Sequence, residues 1–356
     1  MRRPRSLRSS SPVWLSAAVA IAGASVACGA RTSASGDAAA VVDTSQTADA
    51  SDAQLGGRDW SAHPAIAQLD GVTEVWALSD IHGDNAALIT LLTGAKLIDA
   101  GQHWVGGTAV LVIVGDMIDK GPDAVAVVRT LIALQASAAA AGGQVVVTMG
   151  NHEAEFLADP TNSKASGPNG FDGELTAAGL SPAATAAGSD DIGVMLRDLP
   201  FAARVDDWFF VHAGDTGGLT LDALATALRA GVDASGFGAP VLSGPTSLLE
   251  HKFPTSIFWE QGSGAPATTL ATDAQALGAN HIVMGHEPVG VTFADGVKRP
   301  ADKMFQRYGR IFLIDTGMSV GADHTGGALL HIPNPGDATT AEVVTPNGKH
   351  ALLVAK

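Results

Sequence analysis

Cysteine is nearly missing from this chain, with Cys28 the single one in 356 residues. No intramolecular disulfide can form, so stability must come from a core or from bound metal. Clusters of basic residues are missing beyond the first ten positions, and acids outnumber Lys and Arg 36 to 21, for a net charge of −15. A polyanion would be repelled at long range, so no nucleic-acid partner is expected. After residue 27 no stretch of membrane-spanning length runs free of charges and breakers. A 46% hydrophobic content is nevertheless ample for a large buried core and excludes a disordered chain.

The leader is the first positive feature. Arg2, Arg3, Arg5 and Arg8 precede an apolar run from Val13 to Ala24 and a small-residue end, which is the anatomy of a secretory signal peptide over 1–27. Its removal takes four positive charges and no negative ones, moving −15 to −19. Ser25, Val26 and Ala27 before Cys28 resemble a bacterial lipoprotein box. A lipid anchor at Cys28 is therefore the one membrane contact expected. Export is expected, to a bacterial cell envelope (periplasmic or lipid-anchored) or beyond it. Residues 28–62 are rich in Ala, Ser, Thr, Asp and Gly and read as a flexible tether, leaving 63–356 for a catalytic domain.

Five short apolar runs each lead into a polar residue: 74–78 before Asp80, 109–114 before Asp116, 144–149 before Asn151, 208–211 before His212 and 281–284 before His286. Runs of this length punctuated by Gly predict buried strands. Helical patterns fall between them at 85–95, 123–141, 219–229 and 269–277. Such alternation predicts an α/β fold with its ligands beyond the carboxyl ends of the strands. From residue 290 short strands without long helices suggest a second, mostly antiparallel sheet. Residues 158–190 have weak periodicity and read as an insertion or cap over a site, with a plain surface insertion as the alternative.

The polar residues at those strand ends share a chemistry. Asp80 and His82 are one residue apart, so on an extended strand end they point the same way and can chelate one cation. Asp116 can bridge two ions with its two oxygens. Asn151 supplies a carbonyl oxygen, and its neighbour His152 points elsewhere and is free to act on a substrate. Together with His212 and His286 these form the ligand set of a two-metal phosphoester-cleaving centre. Unrelated polar residues rarely punctuate five strands in this way.

The series SDIHGD, GDMIDKG, GNHE, VHAG and MGH resembles the calcineurin-like metallophosphoesterases over roughly residues 73–330. GDxxDxG followed by GNHE is similar to their phosphoprotein-phosphatase branch, and with YGRIFLIDTGMS at 308–319 the layout resembles the bacterial Shewanella-like phosphatases. The resemblance implies a four-layer αββα sandwich of two mixed sheets. It places one cation on Asp80, His82 and Asp116 and another on Asp116, Asn151, His212 and His286. Two divalent ions are implied, Mn2+ first, with Fe or Zn2+ as alternatives. The expected reaction is phosphomonoester hydrolysis by a metal-bridging hydroxide, with His152 protonating the leaving group, Asp119 orienting His152, and Lys120 neutralising non-bridging oxygens. The branch usually has Arg at the place of Lys120, so a bidentate clamp becomes a point charge. The substrate expected is a phosphoprotein. A small phosphoester, cleaved by a phosphomonoesterase or phosphodiesterase in phosphate scavenging, is the alternative, and a non-catalytic envelope metal-binding protein is the third reading.

Overall fold

A computed structural model describes residues 58–254 and 256–355. The expected signal peptide, Cys28 and the expected tether up to residue 57 lie outside the described residues. Arg58, within the expected tether, donates to the backbone oxygens of His63, Arg197, Asp198 and Leu199 at 2.8–2.9 Å. The chain is thus tied down ahead of the expected boundary at 63.

The elements run β1 (Ile66–Leu69), β2 (Val75–Leu78), α1 (Asn85–Gly94), β3 (Val110–Val114), α2 (Ala124–Ala141), β4 (Gln144–Thr148) and α3 (Asn151–Ala158). Three short helices follow, α4 (Phe171–Ala177), α5 (Pro182–Ala186) and α6 (Asp191–Asp198), then β5 (Ala202–Val205), β6 (Trp208–Val211), α7 (Leu221–Ser235), α8 (Pro240–Ser243), α9 (Pro266–Ala276) and β7 (His281–Met284). The remainder is β8 (Val291–Thr292), β9 (Lys298–Arg299), β10 (Phe305–Arg307), β11 (Ile311–Leu313), β12 (Leu329–Ile332), β13 (Glu342–Thr345), β14 (Gly348–Ala351) and β15 (Leu353–Ala355).

Two mixed sheets result, one ordered β14-β13-β12-β2-β3-β4 and the other β1-β5-β6-β7-β11-β10-β15. β2, β3 and β4 are parallel to one another, as are β6, β7 and β11. Every residue of β3 is buried because both of its faces are covered. Val110, Val112 and Val114 join Val75, Ala77, Trp208, Phe210, Val283 and Phe312 in a seam between the sheets. Leu111 and Ile113 point the other way, into a cluster shared with Leu88 and Leu91 of α1 and Val127 and Leu131 of α2. On the second sheet Phe209, Val211 and Ile282 belong to that cluster too, with Leu224 and Leu228 of α7 and Leu270 of α9. Each such fully buried side chain contributes roughly 1.5–3 kcal/mol. The arrangement is the two-sheet sandwich expected, with one correction. The late strands form no sheet of their own, apart from the β8–β9 pair: β12, β13 and β14 extend the first sheet, and β10, β11 and β15 the second. α2, interrupted by Arg129, has the length and apolar content of a bilayer-crossing helix. Its Val127, Val128 and Leu131 are fully buried, so its apolar face is spent on the core.

The 158–190 segment carries α4 and α5. Glu174 of α4 meets the amino end of α2, accepting from Val125 N–H at 3.1 Å. Burial pushes its carboxyl up to about 7, against the opposing pull of the Val125 and Ala124 N–H groups, with Asp123 and Asp119 adding to the rise. A carboxyl raised in the folded state contributes stability at low pH that is lost as pH climbs from its ordinary 4.5 through 7. Glu174→Gln is therefore expected to raise the thermal midpoint at pH 8 and barely change it at pH 4. A shift of the same size at both pH values would contradict this.

Candidate metal centre

Each expected site residue stands just past a strand or at the start of a helix. β2 leads to Asp80 and His82, β3 to Asp116, Asp119 and Lys120, β4 to Asn151 and His152 in the first turn of α3, β6 to His212, and β7 to His286. The first three strands are neighbours in one sheet and the last two in the other, so the residues meet across the seam. All are buried except Lys120 and His286, which are half-buried.

The backbone is left-handed at Asp80 (φ 54°), His82 (45°), Asp116 (53°), Asp119 (62°), Lys120 (59°) and His286 (71°). Residues with a Cβ seldom adopt this region, at a cost of about 1–3 kcal/mol each, and such strain gathers where side chains must be aimed at a point. The expected extended-strand alignment of Asp80 and His82 is therefore corrected. A left-handed turn, not strand alternation, brings Asp80 Oδ1 to 4.0 Å from His82 Nε2. That turn lies against the loop after β3 so closely that a Cβ on Gly121 would sit 1.9 Å from the His82 carbonyl oxygen.

Asp116 occupies the middle. Its Oδ2 is 3.4 Å from His82 Nε2 and 3.9 Å from His152 Nε2, and its Oδ1 is 3.3 Å from His212 Nε2. His212 Nε2 is also 3.2 Å from Asn151 Oδ1 and 3.0 Å from His286 Nδ1. Two donor groups result, His82–Asp116–His152 and Asp116–His212–His286, with Asp116 in both. His152 stands in the first group where Asp80 was expected. Asp80 Oδ2 instead accepts the His286 N–H at 2.9 Å. His152 has a further partner, with Nδ1 2.7 Å from Asp119 Oδ2. Lys120 Nζ lies 2.9 Å from His82 Nε2.

The donor set suits divalent cations. His82 Nδ1 and His212 Nδ1 each lie 3.0 Å from a carbonyl oxygen, of Ile118 and Val114 respectively. Donation there turns both Nε2 atoms toward Asp116, as ligation requires. Burial opposes charge on His212, yet the Asp116 carboxylate lifts that ring to about 10, with help from Asp80. Burial likewise opposes charge on Asp116, but His212, His152 and His82 hold it well below the carboxylate range. Burial pushes Asp80 up to about 6, His212 opposing and Asp116 adding to the rise, and burial holds His82 and His286 well below the usual imidazole value. His212 Nε2 is ringed by Asp116 Oδ1, Asn151 Oδ1 and His286 Nδ1 within 3.3 Å. These oxygen and nitrogen donors are of the kind that hold a divalent cation, and the buried, unpartnered His286 Nε2 is a further donor nearby.

Glu153 lies in the first turn of α3. Its carboxylate accepts from the N–H groups of Gly150 (2.8 Å), Asp116 (2.9 Å), Met117 (2.7 Å) and Ile118 (3.2 Å). It therefore clamps the loops after β3 and β4 together. Glu153→Gln turns an amide NH2 toward these donors, and a loss of about 2–4 kcal/mol is expected in urea unfolding. An unchanged midpoint would show that other contacts hold the loops.

A cleft of about 410 Å³ opens over the cluster, lined by Asp119, Lys120, Asn151, His152, His286 and Glu287, and by Ser163, Lys164, Gly167 and Pro168 of the 158–190 segment. The 158–190 segment thus borders the site, and its Phe171 N–H donates to Asp119 Oδ1 at 2.9 Å. A larger hollow of about 740 Å³ beside Arg58, Arg197 and Phe237 contains neither donor group, so size does not mark the site. Sequence reasoning missed Glu250, which accepts from Asn151 Nδ2 at 2.7 Å, and Lys164. Glu250 has no local signal, because it lies 99 residues from Asn151.

Known proteins place this geometry. An uncharacterised protein of Schizosaccharomyces pombe is 37% identical over 89 residues, covering 24% of this chain and 27% of that one. Shewanella-like protein phosphatase 2 of Arabidopsis thaliana is 36% identical over 77 residues, covering 22% of this chain and 20% of its own length. The matches therefore span about a quarter or less of those relatives. Among solved structures, the cold-active protein-tyrosine phosphatase of a psychrophilic Shewanella species superposes with a TM-score of 0.61 at 22% identity, covering 81% of this chain and 83% of that one. A protein serine/threonine phosphatase from Saccharomyces cerevisiae gives 0.51 at 13% identity, covering 83% and 85%. Both show a shared fold. The calcineurin-like phosphoesterase family itself matches residues 73–309, two thirds of the sequence and every site residue named above, so the chain belongs to the calcineurin-like phosphoesterases.

Proposed function

We propose that this protein is an exported phosphoprotein phosphatase that works with two divalent cations sharing Asp116. The observation that carries the reading is the membership of Asp116 in both donor groups, with His152 of the first group also 2.7 Å from Asp119. When bound, two such ions would supply charge to the phosphoryl oxygens and make a coordinated water acidic. Asp80, His82 and Asp116 would hold one, and Asp116, Asn151, His212 and His286 the other. His152 would give its Nε2 proton to the leaving oxygen, with Asp119 fixing the ring by its Nδ1 contact. Lys120 at the cleft would meet the phosphate as a single charge.

The phosphoprotein assignment is supported by the Shewanella-like protein phosphatases of Arabidopsis thaliana and Plasmodium berghei, each 36% identical over its matched stretch. Export is supported by the leader and Cys28. A mature protein still carrying Met1 by intact mass would overturn it.

The substrate is tested with purified protein and added Mn2+ on phosphoserine, phosphothreonine and phosphotyrosine peptides, sugar phosphates, nucleotides and diesters. Peptides are expected to exceed small phosphoesters in kcat/KM by about tenfold or more, equivalent to about 1.4 kcal/mol. The reverse order would make the protein a small-molecule phosphomonoesterase, and a preference for diesters a phosphodiesterase.

A further inference from the structure

The side-chain amide of Asn151 serves a cation only one way round. Nδ2 donates to Glu250 Oε1 at 2.7 Å, which leaves Oδ1 facing His212 Nε2 at 3.2 Å. An ionised carboxylate accepts and cannot donate, so the flipped amide would set oxygen against oxygen.

Glu250 reaches this place through the turn after β6. The Ala213 N–H donates to Leu248 O at 3.1 Å, and the Glu250 N–H donates to Ser247 Oγ at 3.2 Å. A Cβ on Gly214 would lie 2.5 Å from Leu248 Cα, so its absence lets residues 247–250 close on the His212 turn. On its other side Glu250 Oε1 is 3.5 Å from Lys164 Nζ, which also meets Glu155 Oε1 at 2.6 Å. The shorter contact of Lys164 is with Glu155, and that of Glu250 is with Asn151. The carboxylate is therefore more than a partner for Lys164.

We propose that Glu250 is a positioning residue, which fixes the Asn151 oxygen toward the cation shared with His212 and His286, and that Lys164 of the cap segment holds Glu250 in place. This rests on the reading of Asn151 as a ligand. The cap would then tune the affinity of one ion and not the other.

The test uses the full chain as wild type, Glu250→Ala, Glu250→Gln and Lys164→Met, stripped of metal and titrated calorimetrically with Mn2+ alone, with urea unfolding of the stripped proteins as control. Glu250→Ala is expected to keep one ion at wild-type affinity and to bind the other about 10–100-fold more weakly, the usual cost of losing a partner behind a ligand. Glu250→Gln retains an acceptor and should recover most of that loss, and Lys164→Met should fall between. Two ions bound by Glu250→Ala as tightly as by wild type would overturn the proposal. So would equal weakening of both ions together with a lower urea midpoint, since that marks general damage. Should Glu250→Ala not fold, Lys164→Met decides, because its side chain is 32% exposed and unchanged affinity there also overturns the proposal. A wild type that takes up a single ion refutes the two-cation reading instead, and the proposal then depends on whether Glu250→Ala weakens that ion.

Discussion

Asp116→Asn is expected to lower phosphoester turnover by about 10⁴-fold or more and to leave at most one bound cation, because one substitution removes a charge from both donor groups. The carboxylate offers one oxygen to His82 and His152 and the other to His212. An asparagine keeps the shape but gives one of those sides an NH2, which presents protons where a cation needs lone pairs. Elemental analysis and aryl phosphate hydrolysis with added Mn2+ measure the two effects separately. Turnover within tenfold of wild type would refute the sharing of Asp116.

His152→Asn carries the second large effect, and its pattern matters more than its size. If His152 supplies the proton to the leaving group, hydrolysis of a phosphoserine peptide should fall by about 10²–10⁴-fold while both cations stay bound. An aryl phosphate with an acidic leaving group needs little proton transfer and should lose far less. The geometry makes the control essential, since His152 Nε2 is also 3.9 Å from Asp116 Oδ2 and belongs to the first donor group. Loss of a cation in this variant, with equal loss on both substrates, would make His152 a ligand in place of Asp80.

What could be read from sequence was the set of strand ends. The runs 208–211 and 281–284 match β6 and β7 residue for residue, because each is short, mainly apolar and followed within two residues by a histidine. Asp116, His212 and His286 could be placed from that pattern alone. β1 and β5 could not. β1 has only Ile66 buried and is broken by the exposed Gln68, so its sequence lacks the continuous apolar run that marked the others. The late strands were visible as strands but not as members of particular sheets, since β12 pairs with β2, placing Leu330 opposite Ala77, and no local feature encodes such a partner. The same limit hid Glu250. Glu153 was in plain view beside His152, but its role depends on N–H groups of residues 116–118, which only the folded chain brings near.

The donor groups differ in where they are anchored. His82, Asp116 and His152 all follow strands of one slab, whereas His212 and His286 come from the opposing slab and meet Asp116 across a layer of valine and aromatic side chains. A slight glide of one slab over the other would pull the second constellation apart and leave the first intact. Of the two cations proposed, the one held by groups from both slabs is therefore expected to leave first on warming or chelation.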